Sequence, residues 1–285
     1  MSHPILEVRD LRKVYAATVS PGGEFVALER ESFALDPGGC LAVVGESGSG
    51  KTTCARLIVG LEKATSGTVL IDGVEQPAGR LSSARRRRRG RQVQIVFQDP
   101  YSSLDPRQRV RDCLEEVLRL HFAMDGRERA RRVGELLDQV GLDARQAGAL
   151  PRALSGGQRQ RVAIARALAA EPKVLILDEA VAALDVSIQA QVLNVLADIR
   201  EATEVAYLFI THDLAVVRQV CDDVVVMRSG RIVERGAVAN VLERPEHPYT
   251  RRLLASVPRP GWVPRRRTGD DETLSPPAET KEPLR

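Results

Sequence analysis

A chain of 285 residues is long enough to bury a full α/β core with an embedded subdomain, which excludes a peptide or a bare module. Hydrophobic residues make up 43% and aromatics only 4%, a balance that suits an Ala/Leu/Val-rich mixed α/β protein more than an all-β sandwich or a base-stacking single-strand binder. The net charge of +4 is modest, and much of the positive charge sits in Arg85–Arg89 with Arg91 and in Arg265–Arg267. These runs read as a solvated loop and a tail, with lipid headgroups or an acidic partner as the competing reading.

In chain order, Met1-Ser2-His3-Pro4 lacks the basic start and apolar stretch of a signal peptide. No apolar run approaches the ~18 residues of a membrane helix, so a span is expected only from other chains. Ile5–Val8, Ala27–Leu35 and Thr68–Ile71, the last running into the turn Asp72-Gly73, alternate like antiparallel strands of a small sheet beside the core. Tyr15 falls in a loop after the first of them, where its ring could stack on adenine or sit as an ordinary half-buried aromatic. Four apolar runs, Cys40–Val44, Val93–Phe97, Val174–Leu177 and Ala206–Ile210, read as buried parallel strands. Each runs straight into polar residues: Gly45, Gln98, Asp178-Glu179 and Thr211-His212-Asp213. Ligands of an open parallel sheet bind outside the carboxyl ends of its strands, so these four sets are expected to converge. Helical spacing runs from Arg109 to Gly141, through Leu114, Val117, Leu118, Val133, Leu136, Leu137 and Val140, and again over Gln189–Arg200. A hairpin is expected where Val224–Met227 meets Ser229-Gly230 and Ile232-Val233. From Pro258 onward, prolines and mixed charge predict a poorly ordered tail.

The chemistry sits at two glycine-rich segments. Gly45-Glu46-Ser47-Gly48-Ser49-Gly50-Lys51-Thr52 fits the P-loop pattern, with Thr53 next in an expected helix over Thr52–Leu61. Its glycines let backbone N–H groups face phosphates, Lys51 supplies charge to the β and γ oxygens, and Thr52 is expected to place its hydroxyl on Mg²⁺. The second segment, Leu154-Ser155-Gly156-Gly157-Gln158, opens a helical run to Ala170 and forms a lysine-free anion cradle. Asp178 at the end of an apolar strand is costly without a cation, which favours a role toward Mg²⁺, and Glu179 is placed to act on a water in line with the γ-phosphate. Gln98 could reach magnesium or that water. His212 is read as a γ-phosphate contact that orients Glu179. Cys40, Cys54, Cys113 and Cys221 are far apart in sequence with no C-x-x-C spacing, so neither zinc nor a disulfide framework is indicated.

With the P-loop, Gln98, Leu154–Arg161, Val174–Glu179, Ala183-Leu184-Asp185 and His212 in this order, the chain resembles an ATP-binding cassette (ABC) ATPase over about residues 5 to 257. Phe97–Arg107, Leu184–Gln189, His247-Pro248-Tyr249-Thr250 with Leu253-Leu254, and the long segment between Tyr15 and Ala27 are similar to the oligopeptide/dipeptide importer ATPases. The resemblance implies an α/β P-loop fold with a mixed, mainly parallel core sheet, an antiparallel β subdomain and an inserted helical subdomain at about 99–165. A C-terminal extension at about 238–257 and the tail at 258–285 complete the expected plan. It also implies ATP with Mg²⁺ as cofactors and a head-to-tail pair with a second ABC ATPase subunit, identical or homologous, whose Ser155–Gln158 segment clamps the nucleotide of its neighbour. Two permease subunits, indirectly a solute-binding protein, a position on the cytoplasmic face of the membrane and no nucleic acid complete the expected setting. The groove around Gln98 to Arg107 would receive a permease coupling helix. A soluble cassette ATPase serving a metabolic complex of the carbon-phosphorus lyase type is the alternative. Two residues depart from the family pattern after Glu179, Ala180 where proline is common and Ala182 where serine is, and slower hydrolysis is the most this implies. No cysteine lies beyond Cys221, so no iron-sulfur cluster is expected.

Overall fold

The computed structural model describes residues 3–16, 23–77, 82–99 and 103–256; the expected tail and Arg265–Arg267 lie outside them. Among the described residues ten strands form two sheets. In the first, β1 (Leu6–Ala16) pairs antiparallel with β2 (Glu24–Leu35). The second sheet begins with β3 (Cys40–Val44), and β4 (Ser66–Ile71) with β5 (Val74–Glu75) complete the first in the order β2-β1-β4-β5. Leu6, Val8 and Leu11 are all buried although the last two are three positions apart, an odd spacing for one face of a strand. A register shift with Asp10 at φ +47° returns Leu11 to the core face, and Gly67 makes room for it, since a Cβ there would lie 2.2 Å from the Asp10 carbonyl. Asp72 and Gly73 both take positive φ, the paired left-handed geometry that closes a tight hairpin onto β5.

The second sheet adds β6 (Val93–Phe97), β7 (Val174–Asp178), β8 (Ala206–Thr211), β9 (Asp223–Arg228) and β10 (Arg231–Ala237) in the order β10-β9-β3-β8-β7-β6. Five of its strands run parallel and only β10 is antiparallel, on the edge. The expected mixed, mainly parallel sheet is therefore present, with β7 and β8 each one residue longer than their apolar runs. Val44 pairs with Thr211, and Phe97 and Ile210 flank Asp178, so the carboxyl ends of these strands stand in line.

Among the described residues are ten α-helices, α1 (Lys51–Val59), α2 (Ser83–Gln92), α3 (Val110–His121), α4 (Gly126–Gln139), α5 (Ala144–Ala147), α6 (Gly156–Leu168), α7 (Val186–Thr203), α8 (Leu214–Val220), α9 (Val238–Glu243) and α10 (Pro248–Ala255), and a 3-10 helix over Pro151–Ala153. Strands buried on both faces read as continuous apolar runs, and their period of two divides them between two cores. Val174, Ile176, Leu208 and Ile210 pack with α1 and the antiparallel sheet. Leu175, Leu177, Tyr207 and Phe209 pack with α3, α4, α6 and α7. A third cluster places Val44, Val224 and Val226 under α8, α9 and α10. The helical spacing after Arg109 is realised in α3 and α4, whose Leu114, Leu118, Val133, Leu136 and Leu137 are buried. Asp125 and Glu128 form a capping box that starts α4.

One expectation about these elements needs correction. The arginine run is a helix, α2, and not a loop. Arg85–Arg88 and Arg91 are exposed, but Arg89 is buried and donates to the carbonyls of Leu57 at 3.0 Å and Ile58 at 2.6 Å. Those carbonyls lie in the last turn of α1, where Leu57 otherwise accepts from the Gly60 N–H at 3.2 Å, so the guanidinium adds a charged donor and complements the negative end of the helix. Gly60 serves both needs: it closes α1 at φ +79°, and a Cβ on it would press 2.5 Å from the Arg89 guanidinium. Cys40 and Cys221, 181 positions apart in sequence, meet in the fold as free thiols with 3.2 Å between sulfurs. That contact and burial push the Cys221 thiol well above its ordinary value.

Candidate active site

The P-loop is a turn pressed flat between strands. Gly45 takes φ +152° and Gly50 +104°; a Cβ would lie 2.2 Å from the Met227 carbonyl at the first and 2.5 Å from the Ala27 carbonyl at the second. Both glycines are thus demanded by close backbone approach from β9 and β2. At Gly48, with φ +80°, a Cβ would meet nothing within 4 Å, so the tip opens outward. Gly50 caps α1 without a side-chain hydrogen bond, which leaves the first-turn N–H groups of Lys51, Thr52 and Thr53 directed out of the helix at its positive end. Lys51 is buried, and its Nζ donates to the carbonyls of Gly45 at 2.7 Å and Glu46 at 2.8 Å. Burial lowers its pKa while the charges of Glu179, Asp178 and Glu46 pull it upward. The ammonium is therefore held inside the loop, with carboxylates around it.

Asp178 ends β7 and is buried, and the Thr52 hydroxyl donates to its Oδ1 at 3.2 Å. Burial raises the carboxyl pKa, Thr52 lowers it, and neighbouring Glu179 raises it again. A desolvated carboxylate touching a threonine hydroxyl, with no direct ion pair to Lys or Arg among the described residues, is a fit donor set for a hard divalent cation that takes its remaining ligands from phosphate and water. Among the described residues no three His, Cys, Asp or Glu groups gather into a metal cage.

Glu179 leaves β7 with φ +50°, an uncommon conformation for a side chain other than glycine, and its N–H donates to the Ile210 carbonyl at 2.8 Å. The bond clamps the β7 exit to β8. It brings the Glu179 carboxylate within 3.3 Å of Nδ1 of the exposed His212, the first residue past β8. Gln98 is exposed one residue past Phe97, the register partner of Asp178. Gly45–Thr53, Asp178, Glu179 and His212 thus meet at one edge of the sheet, as their strand-end positions predicted.

Tyr15 departs from its expected loop. It lies inside β1 opposite Phe25, its hydroxyl donates to the Glu62 carboxylate, and Lys13 Nζ covers one ring face 4.5 Å from the centroid. Only the opposite face is left for a stacked base. The hydroxyl also neighbours Thr53, which ties β1 to the start of α1.

The second glycine segment is a helix start. Ser155 caps α6 with a reciprocal box: its Oγ accepts from the Gln158 N–H at 3.2 Å, and Gln158 Oε1 accepts from the Ser155 N–H at 2.9 Å. The two glycines differ. A Cβ on Gly157 would lie 2.3 Å from Cγ2 of Ile188, so packing against α7 demands it. A Cβ on Gly156 would touch only Leu184 Cδ2 at an ordinary 3.8 Å, so nothing within the described chain requires glycine there. Sequence reasoning did not assign a role in the site to Tyr249, which resemblance alone had marked: its hydroxyl accepts from the Glu46 N–H at 3.0 Å across 203 positions of chain. No spacing or periodicity announces a contact that long.

Sheet order, switch-point crevice and glycine cradle place the chain in the P-loop α/β class. The chain belongs to the ABC transporter family: that family matches residues 28–182, and a second, described as the oligopeptide/dipeptide transporter C-terminal region, matches residues 233–282. Among curated relatives, the glutathione import ATP-binding protein GsiA of Escherichia coli K12 is 49% identical over 235 residues, covering 82% of this chain. The chain spans only 37% of the length of that relative. The di/tripeptide transport ATP-binding protein DppF of Pseudomonas aeruginosa is 48% identical over 259 residues, covering 89% of this chain and 79% of that protein. Among solved structures, the dimeric post-hydrolysis state of the ATP-binding cassette MJ0796 bound to ADP and Pi superposes with a TM-score of 0.72 at 29% identity, covering 82% of this chain and 98% of that one. CbiO1 of Clostridium perfringens, part of the transporter complex cbiONQ, superposes with a TM-score of 0.73 at 29% identity, covering 85% and 92%.

Proposed function

We propose that this chain is the ATP-hydrolysing subunit of an ABC importer for oligopeptides or dipeptides, acting in a head-to-tail pair of cassettes on the cytoplasmic face of the membrane. The observation that carries the reading is the row of strand ends in which Thr52 touches Asp178 at 3.2 Å and His212 stands 3.3 Å from Glu179, beside the P-loop. The peptide-transporter match over 233–282 and the peptide and glutathione import relatives support import over service to a metabolic complex.

In this reading the β and γ phosphates lie on the N–H groups that open α1, and Lys51 turns its ammonium from the loop carbonyls toward them. Thr52 and Asp178, with Gln98 as a further donor, would hold Mg²⁺, which supplies charge neutralisation on the phosphates. Glu179 orients the attacking water and takes its proton. His212 Nδ1 fixes the carboxylate and presents its other nitrogen to the γ-phosphate side. Tyr15 offers its uncovered face to adenine. Ser155–Gln158 serves the nucleotide of the neighbouring subunit, and the bare Cα of Gly156 leaves that nucleotide room.

The groove expected between Gln98 and Arg107 is described from Ser103 onward, with Pro100, Tyr101 and Ser102 outside the described residues. Its described part has a volume of about 620 Å³, is lined by Asp105, Arg107, Val117 and Arg166, and is bordered by half-exposed Leu120. An amphipathic coupling helix of a permease fits that lining. No helix among the described residues is long and apolar enough to cross a membrane, so in this reading the span belongs to permease subunits.

The test is the Glu179→Gln chain with MgATP. Nucleotide affinity is expected to stay near that of the unmodified chain, turnover to fall at least ~100-fold as for loss of a general base, and sizing chromatography to show a stable dimer. Undiminished hydrolysis would overturn the assignment.

A further inference from the structure

We propose that Tyr249 is a positioning residue for the nucleotide site, through which the C-terminal helices set the shape of the P-loop. The inference rests on the reading of Gly45–Thr53 as the nucleotide cradle. Glu46 is the first residue after Gly45, and both of its backbone polar groups are taken. Its carbonyl accepts from Lys51 Nζ at 2.8 Å, and its N–H donates to Tyr249 Oη at 3.0 Å. Residue 46 is thereby fixed from two sides, once by the lysine that serves phosphate and once by a residue 203 positions later.

The surrounding contacts all hold that phenol in place. Tyr249 is buried at 3% exposure, and Arg228 at the end of β9 lies 5.2 Å from its ring centroid. The same strand supplies the Met227 carbonyl against which Gly45 is pressed. His247 Nδ1 accepts from the Tyr249 N–H at 3.1 Å, capping α10, and Pro248 takes the first helical position. Glu234 on β10 accepts from the N–H groups of Glu246 at 2.7 Å and His247 at 3.1 Å. The run His247-Pro248-Tyr249 therefore starts a helix at one fixed place and aims one hydroxyl at the loop. Packing α10 onto the core would need only the ring; the hydroxyl meets the P-loop.

Removing the hydroxyl leaves the Glu46 N–H without its acceptor and lets the loop entrance move, which weakens the arrangement of Lys51 and the amides after it. The catalytic groups Glu179 and His212 follow the ends of other strands, β7 and β8, and stay in place. The cost should therefore fall on nucleotide binding more than on the chemical step.

The experiment compares the full chain with Tyr249→Phe and with Thr250→Val, which deletes another buried hydroxyl of α10 that neighbours Glu234 instead of the P-loop. The expected result for Tyr249→Phe is a rise of about threefold to tenfold in the KM for ATP, the scale of one hydrogen bond, with kcat changed less than twofold. Hydrogen exchange at the Glu46 amide should accelerate while the amides of Leu41–Val44 stay protected. Thr250→Val should leave both readouts unchanged. Equal KM and Glu46 exchange in Tyr249→Phe and the unmodified chain would overturn the proposal, as would an equal rise of KM in both variants, which marks general loosening of α10. An unmodified chain that binds no ATP would instead overturn the nucleotide reading itself, so the two failures are distinct.

Discussion

The two glycines of the second cradle show how much one hydrogen atom in place of a methyl group can mean. Gly157 is enforced by Ile188, whose branched Cγ2 leaves 2.3 Å for a Cβ and cannot swing far. Gly157→Ala should cost about 1–3 kcal/mol in urea unfolding, as overpacked sites do, and Ile188→Ala in the same chain should recover most of it. Gly156 is free of that constraint. Gly156→Ala should leave the unfolding midpoint level or raise stability by up to about 1 kcal/mol, since alanine outperforms glycine in a helix, and still reduce ATP turnover. Turnover at the unmodified level would mean that no ligand approaches that Cα. Glu179 makes the complementary point, because its left-handed backbone at φ +50° persists only through the clamp from Ile210 and turns a carboxylate toward His212.

At the scale of elements, helices here are finished by partners far away in sequence. α1 ends on carbonyls that Arg89 of α2 satisfies from inside the protein. Arg89→Ala should destabilise the chain by about 3 kcal/mol, since two buried acceptors lose a charged donor and a cavity opens. Exposed Arg88→Ala should change stability by less than about 0.5 kcal/mol. Equal urea midpoints for the two variants would remove the capping role. The arginine run was legible as charge but not as structure: five like residues carry no periodicity, and which of them turns inward depends on where the end of α1 lies. Tyr15 failed as a loop residue for a related reason. β1 continues to Ala16 because β2 pairs with it to Glu24, and pairing partners lie outside any local window.

At the scale of the whole molecule, the proposed pair would have the P-loop edge and the lysine-free cradle of one chain serve different nucleotides. Lys51→Ala and Ser155→Ala should each be inactive alone. Mixed in equal amounts, they should recover about a quarter to a half of the unmodified rate, because a mixed pair holds one complete site with an intact P-loop and an intact cradle. No recovery in the mixture, with dimers shown by sizing chromatography, would place both segments in the same chain's site.

The sequence by itself determined the buried strands and the polar residues at their carboxyl ends. A buried parallel strand must be apolar throughout, so the residues that break the run are visible, and Gly45, Gln98, Asp178-Glu179 and Thr211-His212-Asp213 stood out for that reason. It also marked both glycine cradles by their motifs, and in the P-loop the reason is backbone geometry, since Gly45 and Gly50 sit at positive φ against carbonyls too close for a Cβ. Only the tertiary structure decided which side chains touch. The burial of Arg89, the meeting of Cys40 with Cys221, the division of labour between Gly156 and Gly157, and the reach of Tyr249 to Glu46 each join positions that local pattern treats as independent. Packing makes them neighbours, and hydrogen bonds and close contacts then fix what each one does.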